Sequence, residues 1–157
     1  MDGTSLAWLG HLGYALPLGI AAMGSGLGIG AAGTAAAGAW AKEAKEGKGM
    51  DFKYMALIGM PLSQTIYGFL FMLLSFQGKS DAYFAQHAGA LFSIGLACGL
   101  GQMFSAWWQG HIGAAGIRGM SESEGKPFAN IMIAMGIAET IGIFALVFSI
   151  LLMPSGS

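Results

Sequence analysis

Glu139 is the one acid in the last apolar stretch of the chain, Pro127 to Ser157, and it sits about twelve residues in, far from both ends. A charge at that depth of a membrane helix costs roughly 2.5–3.5 kcal/mol on insertion scales, so a carboxylate kept there reads as functional. The competing reading is a permanently protonated glutamate that only packs. In the second apolar stretch, Met60, Ser63, Gln64 and Tyr67 follow the spacing i, i+3, i+4, i+7 and share one helix face. In the third, Gln102, Ser105 and Gln109 form another polar stripe. One negative charge among neutral oxygens suits a small, hard, monovalent cation, and no His or Cys joins the set at a transition-metal spacing. His11, His87 and His111 read as interfacial or packed, and Cys98 as a small apolar filler.

Pro61 lies inside the polar stripe. Its missing N–H and its ring should free a carbonyl near Leu57 and disturb the helix at Met60, leaving a backbone oxygen beside Ser63 and Gln64. The alternative for those two side chains is local: Ser63 bonding back to its own helix, and Gln64 holding helices together.

These residues need helices that cross a bilayer. Of the 157 residues 55% are hydrophobic and 10% charged, against about a quarter charged in soluble domains, and the mean hydropathy is +0.63. Apart from Glu139, no Asp, Glu, Lys or Arg occurs in Gly3–Ala41, Tyr54–Gly78, Ala82–Ile117 or Pro127–Ser157. Each window holds the roughly 20 residues one span requires. The fold class expected is therefore an all-α membrane protein of four transmembrane helices in two hairpins. Residues 1–78 hold helices at about 11–41 and 54–77, and residues 79–157 hold helices at about 86–117 and 127–153. Loops 42–53 and 118–126 carry all the Lys and Arg except Lys79, so the positive-inside rule turns them to the cytoplasm. Trp8, Tyr14, Trp40, Tyr54 and Tyr83 suit interfacial belts. The first window lacks a preceding Lys or Arg and a clean cleavage signal, and is read as a mature span.

The two hairpins repeat. Ile29-Gly30-Ala31-Ala32-Gly33 returns as Ile112-Gly113-Ala114-Ala115-Gly116, and Met60 to Ile66 lies over Met135 to Ile141, placing Gln64 over Glu139. Between them, Glu46-Gly47-Lys48 matches Glu124-Gly125-Lys126. Glycines crowd the first helix of each copy (Gly24, Gly28, Gly33; Gly99, Gly110, Gly116), as close helix packing in lipid requires. The run Gly28 to Gly33 also spells a dinucleotide-binding G-x-G-x-x-G, but no strand precedes it. The near-neutral charge of -1 and the apolar windows exclude a nucleic-acid partner. No phosphate-binding G-x-x-x-x-G-K-[ST] is present, so the chain is read as not an enzyme on its own.

The stretch Pro61 to Phe69, Gln109 with Ile112 to Ile117, and Ala138-Glu139-Thr140 resemble the proteolipid, or K, subunit of V-type and A/V-type rotary ATPases, over nearly the whole chain. The resemblance implies a homo-oligomeric rotor ring and ATP chemistry in partner subunits. It further implies a membrane stator bearing an essential arginine, central-stalk subunits at the cytoplasmic loops, and a prokaryotic cell membrane. By analogy with sodium-translocating members, Na+ would be held by Glu139, Gln109, Gln64, Ser63 and the Met60 carbonyl, with Tyr67 hydrogen-bonding Glu139. Ser63 stands where those members usually have threonine. Proton translocation on the same carboxylate is the alternative, and a small secondary transporter with a carboxylate cation site is the second. Same-direction repeats argue against the transporter.

Overall fold

Long apolar runs rich in Ala, Leu and Met, with charge only at their ends, favour uninterrupted helices, because in lipid every backbone group must be satisfied within the segment. The computed structural model describes residues 6–123 and 125–156; Glu124 of the second Glu-Gly-Lys match lies outside them. The elements are α1 (Ala7–Lys45), α2 (Lys53–Gly59), a 3₁₀ turn (Met60–Leu62), α3 (Ser63–Phe76), α4 (Asp81–Gln86), α5 (Ala88–Glu122) and α6 (Phe128–Leu151). Four spans are long and apolar enough to cross a membrane: α1, the run α2 to α3, α5 and α6. Among the described residues there is no strand. The chain is an all-helical integral membrane protein.

The helices run past the apolar windows. Residues Lys42 to Lys45 and Arg118 to Glu122, expected in loops, continue α1 and α5, since Lys, Arg and Glu are good helix formers and Lys42 and Lys45 complement the negative end of α1. The linker Gly78 to Gln86 contains α4, whose first turn is capped when Tyr83 N–H donates to Ser80 Oγ. Gly47 and Gly125 match in backbone as in sequence, with φ of 67° and 78°.

The most extensive packing joins α1 and α5, which run parallel; α6 lies on α5 and α3 on α1. Glycine makes the central contact possible: a Cβ on Gly110 would stand 2.2 Å from Gly28 Cα, and one on Gly95 2.1 Å from the Gly13 carbonyl oxygen. Other glycines of α1, Gly26, Gly30, Gly33 and Gly38, meet nothing within 4 Å inside the chain.

The repeats pack one residue away from their letter-by-letter overlay. Thr65 Oγ1 donates to Ser25 Oγ at 2.8 Å in the first hairpin, where Gln109 approaches Glu139 in the second. Likewise Gly68 lies on Ala21 as Gly142 lies on Ser105. The packing offsets are thus 84 between α1 and α5 and 74 between α3 and α6, against 83 and 75 from matching letters. Thr65, not Gln64, occupies the place of Glu139, because a one-residue shift turns a helix by about 100° and the packed face decides the register.

At the C-terminal end of α1, Glu43 is buried. Tyr54 Oη donates to its Oε1, the Asp51 N–H donates to its Oε2 at 3.1 Å, and Trp40 Nε1 donates to the Asp51 carbonyl at 3.0 Å. Trp40 and Tyr54, expected as belt residues, thus tie the first loop to α1. At the other end the buried Tyr83 donates to the Pro154 carbonyl at 2.9 Å, and burial raises its phenol above the ordinary value.

Candidate functional site

Glu139 is at the middle of α6, half-buried between α3 and α5. Its Oε1 accepts from Tyr67 Oη at 2.8 Å, and its Oε2 accepts a longer bond from Gln109 Nε2 at 3.4 Å. No Lys, Arg or His side chain forms an ion pair with it among the described residues. An ionised carboxylate in a low-dielectric setting with two neutral donors is poorly compensated and calls for a proton or a cation.

The remaining residues form one network. Gln109 Nε2 also donates to the Met135 carbonyl at 3.1 Å, while Gln109 Oε1 accepts from Gln64 Nε2 at 3.1 Å. Gln64, fully buried, donates again from Nε2 to Ser105 Oγ at 3.0 Å, and its Oε1 accepts from Ser63 Oγ at 3.1 Å. Ser63 Oγ is also 3.0 Å from the Met60 carbonyl, a second acceptor for its one proton, so the local bond and the link to Gln64 compete. The 3₁₀ turn at Met60–Leu62 holds that carbonyl beside the serine, at the place where Pro61 interrupts the helix. All six sequence-selected residues, Met60, Ser63, Gln64, Tyr67, Gln109 and Glu139, therefore lie in one hydrogen-bonded cluster fed by three helices.

Two residues outside that set belong to its support. Ser105 Oγ donates to the Ala138 carbonyl at 2.8 Å, which leaves its lone pair for Gln64 Nε2 and so fixes which end of that amide faces Ser63. Gln102 Nε2 donates to the Gly142 carbonyl at 2.7 Å. Gly142 makes the room: a Cβ there would be 2.8 Å from Gln102 Oε1 and 3.0 Å from Ser105 Oγ. The polar stripe Gln102, Ser105, Gln109 was visible in sequence, but the cross-helix distances that give Ser105 its role were not. His11 stacks on Phe84 and lies 3.8 Å from Asp81; His87 packs on Tyr83 and His111 on Trp107 and Trp108, all away from the cluster. Cys98 is fully buried.

The cluster offers oxygens from a carboxylate, two amides, a hydroxyl and a main-chain carbonyl at mid-span, an arrangement able to replace the water shell of a small cation or to shield a protonated acid. Residues 12–75 and 92–152, one stretch in each hairpin, match the family of the ATP synthase C-subunit. The chain is 35% identical over 147 residues to the A-type ATP synthase subunit K of Methanocaldococcus jannaschii, covering 92% of this chain. It spans only 61% of that relative's length. With both hairpins matched, and the mid-span carboxylate inside the second match, the chain belongs to the ATP synthase C-subunit family.

Proposed function

We propose that this chain is the ion-translocating rotor-ring subunit of an A-type or V-type ATPase, and that the ion is Na+. Copies assemble into a ring with α1 and α5 inside and α3 and α6 outside. The ring is non-catalytic, with ATP made or hydrolysed in partner subunits. Loops 42–53 and 118–126 meet central-stalk subunits on the cytoplasmic side of a prokaryotic cell membrane. The ion enters from a stator subunit and neutralises Glu139, which lowers the cost of carrying the site past lipid. An essential arginine of the stator displaces it at the exit.

The observation that carries the sodium reading is the cluster itself: Glu139 is linked through Gln109 to Gln64, Ser63 and the Met60 carbonyl, a chain with more neutral oxygens than a proton needs. One observation favours the proton instead. Ser63, Gln64 and Gln109 satisfy one another through hydrogen bonds, so the set closes around a protonated acid equally well.

Dicyclohexylcarbodiimide, which modifies protonated buried carboxyls, separates the two. Sodium, but not potassium, should slow labelling of Glu139 in the purified protein at fixed pH; labelling indifferent to sodium would assign the proton. Gln109→Leu should weaken sodium protection about 5- to 150-fold, the equivalent of roughly 1–3 kcal/mol for an unsatisfied buried partner, and leave labelling itself intact.

A further inference from the structure

Gly28 and Gly110 meet where α1 and α5 come closest. A Cβ on Gly110 would stand 2.2 Å from Gly28 Cα, and one on Gly28 2.3 Å from the Ala106 carbonyl oxygen, which sets Gly28 level with residues 106–110 of α5. The main-chain contacts of Gly24 with Met103 and of Gly95 with Gly13 keep the same relative height. Two residues turn an α-helix by about 200° and change depth by only about 3 Å. Two residues before Gly28 is Gly26, and two before Gly110 is Trp108. Gly26 and Trp108 therefore lie on the two outward sides of the α1–α5 pair, back to back and at one depth. In a ring every copy stands at the same height, so the outward side of α5 in one copy faces the outward side of α1 in the next.

The free surfaces there are complementary. Trp108 is 61% exposed and adjoins Gln109, at the level of the Glu139 cluster near mid-span. Tryptophan ordinarily sits at the membrane interface, not at mid-depth. Its ring neighbours in the chain are Trp107 and His111, and among the described residues its indole N–H has no acceptor, a state that lipid does not relieve. On α1, Gly30 stands one turn on from Gly26, and a Cβ at either would meet nothing within 4 Å. The two make a flat notch, and a glycine face lets a neighbouring group approach the helix backbone closely.

We propose that Trp108 of each copy seats over the Gly26–Gly30 notch of the next copy, a head-to-tail contact that repeats around the ring. It rests on the ring reading given under Proposed function and adds the seam. The inner layer then alternates close glycine-to-glycine contacts within a chain with wider, tryptophan-filled contacts between chains.

Two measurements on the full chain in membranes test this. With Cys98→Ala as background, Gly26→Cys combined with Trp108→Cys should give a ladder of linked chains with a short bis-methanethiosulfonate reagent, chosen because a tryptophan-wide gap exceeds the reach of a direct disulfide. Neither single cysteine should do so. Gly19→Cys with Trp108→Cys, displaced by about 10 Å along α1, should stay unlinked. Gly26→Trp alone should block assembly without disturbing the single chain, where that position is open, and Trp108→Ala added to it should restore assembly by moving the bulk across the seam. Native mass measurement on the extracted protein separates the failures. Rings that do not link through the Gly26 pair, that link through the Gly19 pair instead, or that tolerate Gly26→Trp would overturn the seam and leave the ring reading intact. Single chains in the unsubstituted protein would overturn both.

Discussion

The hydroxyl of Ser105 has one proton, and it goes to the Ala138 carbonyl at 2.8 Å, so the side chain can meet Gln64 only as an acceptor. The Gln64 carbonyl is thereby turned toward Ser63, where a cation would be bound. Ser105→Ala should release the amide and weaken sodium protection of Glu139 about 2- to 12-fold, the loss of one hydrogen bond of roughly 0.5–1.5 kcal/mol, while Ser105→Thr restores it. The sodium concentration for half-protection against carbodiimide reads this directly. The spacing of Met60, Ser63, Gln64 and Tyr67 made their shared face legible, because positions on one helix follow from its period alone. The part of Ser105 was not legible. It depends on α6 coming close to α5 at Gly142, a distance that no pattern within one helix encodes.

At the scale of the elements, the four spans and the break at Pro61 follow from apolar windows and proline chemistry, and the structure places them within a few residues of expectation. Helix ends were less legible, since charged residues that leave the membrane remain helical. The register of the repeat differs by one residue between letters and packing for a physical reason: identical letters such as Ile-Gly-Ala-Ala-Gly align chains, whereas packing aligns faces. The glycine contact between α1 and α5 is the most constrained part of the fold. Gly110→Leu, driving a side chain into Gly28, should destabilise the protein by about 1–3 kcal/mol or more, measured as thermal unfolding in detergent. Gly119→Ala, at a helical position with nothing within 4 Å, should be neutral or stabilising by up to about 1 kcal/mol.

Across the whole molecule, polar chemistry is concentrated at two depths. One is the Glu139 cluster at mid-span, and the other is the Glu43 pin that fastens the first loop to the C-terminal end of α1. The burial of Glu43 is not legible in the sequence because it stands in a charged run, where an acid is ordinarily solvated. Removing the Tyr54 hydroxyl should loosen that loop: Tyr54→Phe costs about 1.5–3 kcal/mol, the worth of a hydrogen bond to a charged group, and should speed hydrogen exchange over residues 46–52 without changing the labelling of Glu139.

Where the second hairpin sets Gln109 against Glu139, the first sets Ser25 against Thr65, a neutral pair in the same packed position. In the rotor proposed above this pair would fix the gearing. Only every other hairpin is a charged tooth, so one revolution carries half the ions that a fully charged ring of the same girth would carry. Each charge moved against 100 mV takes about 2.3 kcal/mol, so the same energy per revolution can drive each ion against twice the potential. In the rotor proposed above, two hydroxyls in place of an acid and an amide would make a low gear, suited to a steep gradient carried by few ions.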